Sequence, residues 1–186
     1  MEVKRQSRSF EIALSAIACA IAVCALTLGA YVDFLLAAGF LIAVFALMVP
    51  LAKDFVWGYV LALLATVILS FLFTGFVVGV MRLLPFVAFF GWHPLLNYLQ
   101  KRYVKKGWLH AAAFAVKAVW FDLAMWLAWV VLVPIFGLEE MTWYPYIADN
   151  FYLILFLGGT AFFALYDIAI FFCQKSVNNA VYRIRR

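Results

Sequence analysis

Four ionisable side chains fall inside long apolar runs: Arg82, Lys117, Asp122 and Asp167. A charge at the centre of a helix in hydrocarbon costs about 2.5–3.5 kcal/mol on insertion scales, so each needs a partner or a task. Measured from the basic segment before Leu109 at 1.5 Å per residue, Lys117 lies about 12 Å deep, and Asp167 lies at a similar depth counted back from Lys175. The two are expected to form a structural ion pair. A proton or ion relay is the alternative, although no second titratable chain leads onward from them. Asp122 follows Lys117 by five residues, about 140° around a helix, which suits an intrahelical bridge poorly. Its expected partner is Arg82, near the outer end of the fourth run. Unpaired, Arg82 would offer a permanent guanidinium to a carboxylate or phosphate of a ligand, or snorkel to head groups.

Aromatic rings gather at the outer ends of the runs: Tyr31, Trp126, Trp129, Trp143, Tyr144, Tyr146 and Tyr152. They make an interfacial belt, or a subset turns inward to stack on a flat heterocycle while Asn150 and Asp33 read its polar edge. Trp126 and Trp129, three residues apart, share a helix face and are the expected wall. The candidate binding set is thus Asp33, Arg82, Trp126, Trp129 and Asn150. His93 stands in Gly91-Trp92-His93-Pro94, followed by Asn97. A metal would need further ligands at helical spacing and none follow, so no metal is expected. Proline at 94 frees a backbone carbonyl, and a kink satisfied by the His93 or Asn97 side chain is the preferred reading, with a docking-sensitive hinge as the alternative.

Catalysis finds little support. There is no GxSxG elbow and no HExxH, and Ser15, Ser70 and Ser176 lack a neighbouring histidine. Cys19, Cys24 and Cys173 all sit in apolar runs without a CxxC pair. No enzyme and no cofactor is expected.

The elements that must carry these groups follow from composition. Of 186 residues, 69% are hydrophobic and 12% charged, with a mean hydropathy of +1.07. A folded chain of 21.1 kDa cannot hide so much apolar surface from water, so the remainder must face lipid. The runs are continuous instead of alternating, which excludes a transmembrane barrel. The expected fold is an all-α integral membrane bundle of six transmembrane helices in a single domain, at 10–31, 34–52, 55–75, 77–99, 109–136 and 150–173. A turn is expected at Pro50 to Asp54, where proline meets a charge pair. Lys4, Arg5, Arg8, Lys101, Arg102, Lys105, Lys106, Lys175, Arg183, Arg185 and Arg186 flank the spans on one side, which places both termini in the cytoplasm. The net charge of +5 is therefore a topological signal directed at the lipid bilayer, with no nucleic acid implied.

The first span carries Ala16/Ala20 and Ala18/Ala22 as small-xxx-small steps, which let another backbone come close. Such a ridge packs within its own bundle or docks a separate membrane subunit. Together with six short-looped spans, the AxxxA steps within Ala16-Ile17-Ala18-Cys19-Ala20 and Ala18-Cys19-Ala20-Ile21-Ala22, and the stretch from Val49-Pro50-Leu51-Ala52 through Tyr59-Val60-Leu61-Ala62 to Phe89-Phe90-Gly91-Trp92-His93-Pro94, the chain resembles the substrate-binding S components of energy-coupling factor (ECF) vitamin transporters. The resemblance implies a bacterial cell-membrane subunit that binds a vitamin-like small molecule from outside and docks, through Ala16, Ala18, Ala20 and Ala22, on a membrane scaffold subunit with two cytoplasmic ATPases. The chain has no GxxxxGK[ST] loop, so ATP hydrolysis would belong to the partners. The metal-specific branch of that family has histidine after the initiator, whereas this chain begins Met1-Glu2-Val3, which argues against nickel or cobalt. The alternative expectation is a non-transporting membrane interaction or assembly protein whose buried charges hold the bundle together.

Overall fold

The computed structural model describes residues 8–183; Met1-Glu2-Val3, Lys4, Arg5, Arg185 and Arg186 lie outside them. Six helical stretches are long and apolar enough to cross a membrane, and no strand occurs among the described residues. The first three spans are α1 (Arg8–Tyr31), α2 (Leu36–Leu51), entered through a 3-10 turn at Asp33–Leu35, and α3 (Val56–Thr74). The fourth is broken into α4 (Phe76–Pro85), a π-helical turn (Phe86–Phe90) and α5 (His93–Tyr103). The fifth is α6 (Gly107–Phe136), followed by the short α7 (Tyr144–Ala148). The sixth comprises α8 (Phe151–Leu153), a second π turn (Ile154–Gly159) and α9 (Thr160–Arg183). The chain is a multi-pass membrane protein.

Contacts between the connections fix which ends meet. The Tyr31 hydroxyl donates to the Phe73 carbonyl (3.0 Å), so the α1–α2 and α3–α4 connections share one end of the bundle. At the opposite end the Tyr98 hydroxyl donates to Asp54 (2.5 Å), which joins the α2–α3 reversal to the close of α5. That reversal comes slightly later than the sequence suggests. Pro50 still belongs to the last turn of α2, and its carbonyl accepts from the Lys53 and Phe55 amides (3.0 and 3.1 Å), with Asp54 at φ +58°. The last helix also outruns its expected end at 173, its apolar stretch reaching Val181. Gln174, Lys175, Ser176, Asn178 and Asn179 mark where lipid ends; the helix continues because its hydrogen bonds are internal and Val177 and Val181 extend its packed face.

Helices α1 and α2 make the closest crossing. A Cβ added at Gly39 would stand 2.6 Å from the Ala25 carbonyl oxygen, and one at Gly29 would stand 3.2 Å from the Cα of Leu36. Ala18 and Ala22 are sealed within the bundle at 2% and 0% exposure, whereas Ala16 and Ala20 stay exposed along a groove shared with α3. The four expected docking residues are therefore split two and two, and Ala18 and Ala22 are not available to a partner while α1 and α2 stay packed. The reason is geometric: positions two apart on a helix differ by about 200°, so the two steps point in opposite directions.

Pro85 and the π turn interrupt the fourth span, where the Gly91 amide reaches back to the Phe86 carbonyl (2.8 Å). Carbonyls loosened by the break are taken by the Tyr59 hydroxyl, which donates to the Gly91 carbonyl, and by the Trp92 indole, which donates to Val87 (3.0 Å). The expected role of His93 and Asn97 as satisfiers of the kink therefore falls to Tyr59 and Trp92, because both polar side chains are engaged elsewhere. Tyr59 is fully buried, so Tyr59→Phe leaves a carbonyl in the core without its donor and is expected to cost about 1–3 kcal/mol. Thermal unfolding of the full chain in detergent measures this; an unchanged midpoint would mean that the hydroxyl does not hold the break.

Candidate intramembrane site

His93 begins α5, Asn97 stands one turn later on the same face, Lys117 projects from α6, and Asp167 from α9. These elements converge on one carboxylate. Lys117 Nζ donates to Asp167 Oδ1 (2.5 Å) and to Asn97 Oδ1 (2.6 Å), and His93 Nε2 lies 2.9 Å from the same Asp167 oxygen. His93, Asn97 and Lys117 are at most 5% exposed. An oxygen already accepting from the lysine accepts from the histidine as well, so Nε2 carries the proton and Nδ1, which has no partner among the described residues, is the lone-pair nitrogen. Equal depth in the sequence indicates the lysine and aspartate together; that His93 and Asn97 join them is legible only in their spacing of four, which puts both on one helix stripe.

Rings seal this network. The His93 ring centroid stands 4.9 Å from that of Tyr166 and 5.2 Å from that of Phe89, and Phe89 packs edge-on against Phe121 (5.0 Å) and Phe163 (5.8 Å). The arrangement holds three spans together around a neutralised pair.

Arg82 lies 2.5 Å from Asp33 at the loop end of the bundle, with Asp33 78% exposed. The expected match of Arg82 with Asp122 therefore does not form. Arg82 is about 9 Å along α4 from Phe76, while Asp122 is about 21 Å back from the end of α6 at the same side, so their depths differ by about 12 Å. Two members of the candidate binding set, Asp33 and Arg82, are brought together, but as partners of one another at the rim. Asn150 is exposed and donates to the Tyr146 carbonyl (3.3 Å).

The two tryptophans part company. Trp129 stacks on Tyr144 (5.7 Å between centroids, 3° between planes) and on Phe151 (4.7 Å, 22°). Trp126, one helical turn from Asp122, lines a lateral groove of about 400 Å³ with Val119, Asp122, Leu123, Tyr152 and Phe156. Trp129 does not line that groove. It is linked to it through Phe151, which meets Tyr152 edge-on (5.6 Å), and Tyr152 is parallel to Phe156 (6.3 Å, 12°).

Asp122 occupies the middle of the 30-residue α6. Its Oδ2 accepts from the Thr160 hydroxyl (3.3 Å), while Oδ1 is buried without a hydrogen-bond partner among the described residues. Gly159 closes the π turn beside it, where an added Cβ would come within 3.9 Å of Oδ1. Comparisons with protein-family models, curated proteins and solved structures gave no match. The groove is what this geometry offers chemically: a carboxylate in mid-span with apolar and aromatic walls and, among the described residues, no cation lining it.

Proposed function

We propose that this chain is the substrate-binding membrane subunit of an ECF-type importer of a bacterial cell membrane. Both termini lie in the cytoplasm, as the Lys and Arg distribution favours, and a vitamin-like small molecule is captured from outside. A membrane scaffold subunit and two ATPases complete the importer. The observation that carries the reading is Asp122, a mid-span acid in a groove that no basic side chain among the described residues neutralises, whereas Lys117 and Arg82 are each held by an aspartate. A bundle built only for assembly gains nothing from leaving such a group unmatched. Docking is supported by the exposed Ala16/Ala20 face on the α1–α3 groove, where a helix of a partner can approach closely.

Affinity purification of the full chain from its own membranes in mild detergent tests this directly. A membrane scaffold and two nucleotide-binding subunits are expected to co-purify, and Ala16→Leu with Ala20→Leu is expected to reduce their recovery about tenfold or more while the bundle stays folded. Recovery of the chain without ATPase subunits would overturn the importer reading and leave the interaction or assembly protein.

A further inference from the structure

We propose that the Asp122 groove binds an organic cation, a protonated amine or quaternary ammonium on an apolar or aromatic body. The inference rests on the importer reading only for the ligand's fate as transported solute; binding itself needs no partner.

Charge complementarity sets the sign of the ligand. An ionised carboxylate in hydrocarbon is stabilised by an opposite charge, and the nearby bases are committed: Lys117 to Asp167 and Asn97, Arg82 to Asp33. Oδ1 is buried with its lone pairs unused, while Oδ2 is steadied by Thr160. The surroundings then select the kind of cation. A hard metal ion requires about six oxygen ligands, and this groove supplies one carboxylate with the hydroxyls of Thr160 and Tyr152. Trp126, Tyr152 and Phe156 line it instead, and aromatic rings attract an organic cation through their quadrupole and cover its apolar body. Gly159, the last residue of the π turn, packs beside the carboxylate, where an added Cβ would stand 3.9 Å from Oδ1. A widened helical turn placed beside a mid-membrane acid is a frequent mark of a functional position.

The probe pair is benzyltrimethylammonium and neopentylbenzene, its uncharged carbon isostere. Full-length protein in lipid nanodiscs is expected to bind radiolabelled benzyltrimethylammonium saturably, with neopentylbenzene unable to compete. Asp122→Asn, which keeps the Thr160 contact, and Trp126→Leu are each expected to weaken binding about tenfold or more. A second measurement uses the unaltered chain, so that folding of a variant is not at issue. A hydrophobic carbodiimide should label Asp122 as its N-acylurea, found by peptide mass, and benzyltrimethylammonium should protect it. Absent saturable binding together with absent protection overturns the inference, as does equal competition by the neutral isostere, which would make the groove a lipid slot. Labelling that responds to pH but not to the cation would also overturn it, in favour of a proton site. Cation binding without recovery of ATPase subunits would sink the importer reading alone; recovered subunits without cation binding would sink this inference alone.

Discussion

Lys117→Met is expected to be the most damaging single substitution in the bundle, costing about 3–5 kcal/mol. Among the described residues the ammonium is the one full positive charge on the Asp167 carboxylate; it also holds the Asn97 amide, and Lys117, Asn97 and His93 are buried. Removing it leaves the Asp167 anion, 14% exposed, with a single histidine donor. His93 is poorly placed to compensate by becoming charged, because a proton on Nδ1 would find no acceptor. The informative partner experiment is the double replacement Lys117→Met with Asp167→Leu, which removes both charges and should cost clearly less than the sum of the single changes, by about 2 kcal/mol or more. Equilibrium unfolding of the full chain in mixed micelles supplies the three differences. Additive costs would show that the two residues do not act as a pair.

Gly39→Ala carries the second large effect. The new methyl carbon would lie 2.6 Å from the backbone oxygen of Ala25, and a backbone atom held in a helix cannot rotate aside as a side chain can. The two helices must therefore separate, disturbing the contacts that Ala22, Leu26, Ala43 and Leu47 make in the core, at an expected cost of about 1–3 kcal/mol. Gly107→Ala, at the start of α6 with nothing within 4 Å of the added atom, is the control and should show no loss. Equal melting temperatures for the two variants would contradict the close crossing.

The parts legible in the sequence were those set by hydrocarbon itself. All six spans were readable because lipid demands long uninterrupted apolar helices, and Lys117 with Asp167 was readable because both could be counted from basic boundaries. The same counting, applied to Arg82 and Asp122, would have separated them by depth; residue chemistry alone had suggested the match. The division of Ala16/Ala20 from Ala18/Ala22 was likewise implicit in a rotation of 100° per residue. What a hydropathy pattern does not encode is a one-residue change in winding. The π turns at Phe86–Phe90 and Ile154–Gly159 are as apolar as their neighbours, so nothing in the runs marked them. Without the π turns in view, His93 reads as a kink residue, and nothing in the hydropathy pattern brings Thr160, Tyr152 and Phe156 around Asp122.

The turn at Ile154–Gly159 has a further consequence for how this molecule can diversify. An inserted residue of this kind offsets everything after it by about 100°, so the final span carries two independent phases. Tyr152, ahead of the turn, and Phe156, within it, line the Asp122 groove; beyond it Thr160 still steadies Asp122, and Asp167 addresses Lys117 and His93. Drift at Tyr152 or Phe156 can reshape the cleft without retiming the inner lock, so its lining can change with no compensating change in the core.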